Sequence, residues 1–97
     1  MNWDATALSE ADNVATVLRP IQTGELVSVA VGGRTREVTA IEPIALCHKI
    51  ALADLEVGDL VMKYGENIGE ATIAIRRGAW VHTHNLRSRR AQVWNKP

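Results

Sequence analysis

No stretch of this chain repeats its apolar residues at the helical period over a convincing length. Short apolar runs alternate with polar residues instead, and Gly or Pro interrupts them about every 8 to 12 residues. That spacing predicts a mainly β domain of about six or seven short strands, with at most one or two helical turns. So few residues per strand favour a small folded-over or barrel-like sheet over a sandwich of two large layers.

The clearest turn joins LVSVAV to TREVTAI through Gly32-Gly33. Two glycines adopt the positive φ angles of a tight hairpin at little cost. NVATVLRPI, starting at Asn13, reads as an earlier strand ended by Pro20. EPIALCHKIAL is an apolar run interrupted by His48 and Lys49, and DLEVGD could open as a helical turn capped by Asp54 and ended by Gly58. LVMKY follows, then EATIAIRRG with Ala71, Ile73 and Ile75 on one face, and finally AWVHTHNL. No internal repeat is visible. Residues 1–12 lack a clear period and read as an N-terminal arm, residues 13–86 as the domain, and residues 87–97 as a basic tail.

Composition supports one folded core. The 97 residues are 46% hydrophobic and 23% charged, and Phe is absent, so branched aliphatic side chains must fill the interior. The net charge of +0 conceals a basic end, since Arg87, Arg89, Arg90 and Lys96 follow the last acid, Glu70. Without interleaved aromatics this is weak ground for nucleic-acid binding and reads as a solvated tail. A single cysteine, Cys47, excludes an internal disulfide and is expected to act as a small buried hydrophobe. With no tract of about 18 apolar residues and no signal-like start, a cytoplasmic setting is expected.

Three groups of residues could carry chemistry. In an extended strand His82 and His84 of Val-His-Thr-His-Asn would project to one face, two imidazoles suited to proton transfer near neutral pH. Asn85 adds an amide able to orient a hydroxyl or carboxylate. The same histidines could simply bond backbone groups. His48-Lys49 offers an imidazole and a cation for a carboxylate, or a lysine whose ammonium only reaches for water. The glycine-flanked loop from Lys63 to Gly69 lets a backbone approach a ligand or merely turns. It lacks the Gly-Lys-Ser/Thr ending of a phosphate loop, and one thiol cannot build a closed structural zinc site.

His48-Lys49-Ile50-Ala51-Leu52, Gly58-Asp59, Lys63-Tyr64-Gly65-Glu66, Ile68-Gly69, Ala71-Thr72, Ile75, Gly78 and Val81-His82-Thr83-His84-Asn85 form an ordered set. As a set they resemble the SAF domain of altronate and galactarate dehydratases, to which the small subunit of a sulfolactate sulfo-lyase is related. The resemblance implies a β-clip fold and a part in eliminating water from a sugar acid to give a 2-keto-3-deoxy acid. It further implies a larger metal-dependent catalytic domain or subunit as partner, with a divalent metal, iron being one candidate, held there and no cofactor bound by this chain alone. Ending at Pro97, the chain would be either a separate small subunit or a fragment, inactive by itself. On this resemblance His84 and His82 are the catalytic candidates, and Asn85, Lys49 and His48 the substrate-binding ones. A non-catalytic sugar-acid-binding or docking module is the alternative. Unpaired edge strands in so small a sheet also make a second copy a candidate partner.

Overall fold

A computed structural model describes residues 3–88. Nine strands run in order: β1 (Ala5–Ala7), β2 (Val14–Val17), β3 (Leu26–Val31), β4 (Arg34–Thr39), β5 (Lys49–Ala51), β6 (Leu60–Lys63), β7 (Glu66–Ala71), β8 (Trp80–Val81) and β9 (Leu86–Ser88). They form a six-stranded sheet, β4-β3-β1-β2-β5-β8, and a three-stranded sheet, β6-β7-β9. The mainly β expectation holds, and no helix occurs among the described residues.

The expected β3–β4 hairpin forms, with Gly32 and Gly33 at φ +51° and +90°. Tyr64 and Gly65 turn β6 into β7 in the same left-handed region, at φ +53° and +79°. Alternation along β2 and β5 divides the interior. Val17, Ala15 and Ile50 face one cluster with Val27, Val29 and Ile44, while Val14 and Ala51 face a second with Leu55, Val61, Ile75 and Val81.

A repeat invisible in the sequence organises these strands. Residues 17–27, 40–50, 51–61 and 71–81 are four versions of one corner, each carrying the chain from one strand to the next. In each, the first residue (Val17, Ala40, Ala51, Ala71), the fifth (Ile21, Ile44, Leu55, Ile75) and the last (Val27, Ile50, Val61, Val81) are buried. The eighth (Gly24, Cys47, Gly58, Gly78) has φ between +69° and +90°. Corners pair reciprocally. The N–H of Gly24 donates to the carbonyl of Ala40 and that of Cys47 to Val17, while Ile21 bridges Ile44. The N–H of Gly58 likewise donates to Ala71 and that of Gly78 to Ala51, while Leu55 bridges Ile75.

Several expectations are corrected. Residues 5–7 are not part of a loose arm, because β1 sits between β2 and β3, antiparallel to the first and parallel to the second. DLEVGD forms no helical turn, since it is the third corner and the Asp54 carboxylate accepts the N–H of Arg77 at 2.8 Å. EATIAIRRG is strand only to Ala71. Beyond it the fourth corner buries Ile75 but leaves Ile73 52% exposed. Cys47 is exposed, at the place where the other corners use glycine. Arg87 and Ser88 lie in β9, and residues 89–97 of the expected basic tail lie outside the described residues.

Asp12, buried in the turn after β1, ties the two sheets together. One oxygen accepts N–H groups of Leu8, Ser9 and Tyr64 and the other that of Gly65, at 2.8 to 3.2 Å. Burial opposes its charge, but the four N–H donors outweigh that and hold its pKa below 3.8. Asn13 continues the link. Its side chain accepts the N–H of Met62 and donates to the carbonyl of Leu60, standing in for a strand beside β6.

Candidate functional site: imidazoles around Trp80

The fourth corner delivers Trp80 to β8, the edge of the larger sheet. Edge strands expose backbone donors and acceptors. Here side chains cap them. The Trp80 N–H donates to Glu42 Oε2 at 2.8 Å, the Trp80 carbonyl accepts from Asn85 Nδ2 at 2.9 Å, and Asn85 Oδ1 accepts the His82 N–H at 2.9 Å. These backbone groups of β8 are therefore engaged within the chain.

The His82 carbonyl accepts N–H groups of Asn85 and Leu86, so residues 82–85 turn instead of continuing as a strand. This turn lifts the chain from the six-stranded sheet to β9. His82 and His84 are thus not alternate positions of one strand, yet they still meet. The Trp80 ring centroid lies 5.4 Å from that of His82 and 4.5 Å from that of His84, and His82 stacks on His48 at 4.4 Å. The Trp80 indole N–H donates to His48 Nδ1 at 2.9 Å. That bond places the proton of neutral His48 on Nε2, directing a donor away from the indole.

Of the five residues expected at a site, His48, His82 and His84 come together. His84 is exposed, and His48 and His82 are half-buried. Asn85 has a different place. It is 4% exposed, and its amide braces the backbone of Trp80 and His82. Lys49 projects from the other face of β5, its cross-strand neighbours Thr16 and Val81 facing the same way. Desolvation, then the charge of Lys63, lowers its pKa. The pKa of His82 is also lowered, first by desolvation and then by His48, Lys49 and His84, so its neutral form is favoured as a proton acceptor.

Among the described residues no group of three or more His, Cys, Asp or Glu could hold a metal ion. Geometry agrees. Stacked rings such as His48 and His82, inclined by 22°, do not aim their in-plane lone pairs at one point. Sequence reading missed Trp80, the hub of the cluster, although it stands two residues before His82. It also missed Glu42, whose role depends on a bond across 38 residues. Beside Trp80 lies an apolar depression of about 320 Å³ floored by Pro20, Ile21, Pro43 and Ile44, equivalent positions of the first two corners.

The altronate/galactarate dehydratase SAF domain matches residues 3–89. The chain belongs to that family. This SAF domain is similar to altronate dehydratase of Escherichia coli K12, 42% identical over 77 residues that span 79% of the chain but 15% of the enzyme. It is also similar to the alpha subunit of (2R)-sulfolactate sulfo-lyase of Chromohalobacter salexigens, 32% identical over 76% of the chain and 81% of that subunit. The corresponding subunit of Paracoccus pantotrophus is 43% identical over 53 residues, 55% of the chain and 79% of the subunit. No helix among the described residues is long and apolar enough to cross a membrane.

Proposed function

We propose that this SAF domain is the accessory part of a carbon–oxygen lyase of the altronate/galactarate type, helping to hold a hydroxy-acid substrate against a larger catalytic domain or subunit. The observation that carries the proposal is the gathering of His48, His82 and His84 around Trp80 at an exposed edge, in a chain that spans four-fifths of a lyase subunit.

Elimination next to a carboxylate needs a base for the α-proton, a positive or hydrogen-bonding group for the enolate-like charge, and an acid for the leaving hydroxyl. Exposed His84 and half-buried His82 are the proton-transfer groups of this chain, with neutral His82 an acceptor secondary to the principal base. His48 presents Nε2–H to a substrate oxygen. Asn85 is a positioning residue, since its amide fixes the turn that sets both histidines. A divalent metal in the larger partner would supply the main electrophile, and the principal base belongs there too.

A second reading has its own support. Asn85 and His48 Nδ1 are already engaged within the fold, as in a cluster that stiffens a docking module. Purifying the chain with its larger partner separates the two. Elimination activity lost in His84→Ala supports the lyase role, and undiminished activity supports docking.

A further inference from the structure

The face of β5 opposite the imidazoles carries a different arrangement. Thr16 and Lys49 are directly paired across β2 and β5 and point to the same side. The β6–β7 turn, held by Asp12 through the N–H groups of Tyr64 and Gly65, folds over them. Tyr64 Oη donates to Thr16 Oγ1 at 3.3 Å, which frees the Thr16 hydroxyl proton for another acceptor. Lys63 Nζ lies 5.1 Å from the centre of the Tyr64 ring.

Two lysines thus adjoin a pair of hydroxyls, Lys49 through its pairing with Thr16 and Lys63 through the Tyr64 ring, and no ion pair found among the described residues involves either lysine. Asp12, the acid behind this turn, has both oxygens bound by backbone N–H groups. Glu66, opposite Lys63 in the ladder, is exposed and makes no ion pair there. Lys49 is half-buried, and a desolvated cation without a counter-charge is costly. A bound anion would repay that cost, because it neutralises both ammoniums where water is partly excluded.

We infer that Lys49, Lys63, Thr16 and Tyr64 form a carboxylate-binding subsite for a hydroxy acid, on the side of β5 away from the imidazoles. The choice of a hydroxy acid rests on the proposed lyase role; the subsite itself rests on the unmatched lysines. Desolvation, and then the charge of Lys63, lowers the pKa of Lys49. Carboxylate binding should raise it.

The test is titration of the 97-residue chain with tartrate at constant ionic strength, followed by NMR of backbone amides and lysine Nζ groups. Saturable shifts centred on Thr16, Tyr64 and Gly65, with a rise in the Lys49 pKa, are expected. Lys63→Met and Lys49→Met should each weaken binding by about tenfold or more. Arg76→Gln, on the distant fourth corner, should leave it unchanged, and Lys63→Met decides alone if Lys49→Met fails to fold. Absence of saturable binding, or binding indifferent to both lysine substitutions, overturns the subsite. Because no turnover is read, tartrate binding that depends on the lysines sustains the subsite even if the lyase role fails.

Discussion

Alanine placed at Gly58 and at Gly78 should separate backbone strain from steric contact. The two glycines hold the same position in paired corners, with φ of +89° and +90°. A Cβ on Gly58 would meet nothing within 4 Å, whereas one on Gly78 would overlap the carbonyl oxygen of Thr39. Both alanines incur the left-handed cost of about 1–2 kcal/mol, less about 0.4–1 kcal/mol recovered from the less flexible unfolded chain. Gly58→Ala should therefore lose about 0.5–1 kcal/mol. In Gly78→Ala the strand end must also move, straining the Ile41 N–H bond to the Gly78 carbonyl at 3.0 Å. Adding that bond and the displaced packing brings the loss to about 3 kcal/mol or more. Equilibrium urea unfolding reads both. With a slope of about 1 kcal/mol/M the midpoint should fall by less than about 1 M for Gly58→Ala and by about 3 M for Gly78→Ala. Equal shifts would refute the close approach. Cys47→Gly, at the equivalent place in the second corner, should move the midpoint the other way by about 0.5 M, because it relieves φ +69°.

Asp12 predicts acid lability. Its folded pKa lies below its unfolded value of 3.8, so its stabilisation is complete above that value and is lost as pH falls through the folded pKa. Asp12→Asn should remove about 2–4 kcal/mol at pH 7, from weakened bonds to four N–H groups, and flatten the stability profile below about pH 4 in chemical denaturation. An unchanged acid limb would count against the assignment. His82 should titrate below 6.5 in proton NMR, and Lys49→Met should raise its pKa by removing a nearby positive charge. A His82 pKa insensitive to Lys49 would contradict the electrostatic picture.

Local chemistry was readable where local chemistry decides. Gly32-Gly33 specified its hairpin because a two-residue turn needs little beyond its own φ angles. The His-x-His spacing pointed to convergent imidazoles but through the wrong geometry. A turn across residues 82–85, not strand alternation, brings them together, and it exists because Asn85 reaches back to Trp80 and His82. Asp12 gave no signal, since two of its four donors are defined only once β6 and β7 fold over it and the other two only once the preceding turn closes. The fourfold corner stayed hidden because its copies begin at irregular intervals and share only an apolar pattern and a left-handed eighth residue, which is Cys47 in one copy. Lys49 was grouped with the histidines by adjacency to His48, although neighbours in a strand face opposite ways.

The central claim is that this SAF domain helps a larger partner eliminate water from a hydroxy acid through His84. Formation of a 2-keto-3-deoxy acid should be measured with the chain alone, with the chain and its large catalytic partner, and with the partner and His84→Ala. The account predicts turnover only in the combined sample and a loss of about a hundredfold or more for His84→Ala. Full turnover by the chain alone, or undiminished turnover with His84→Ala, would contradict it.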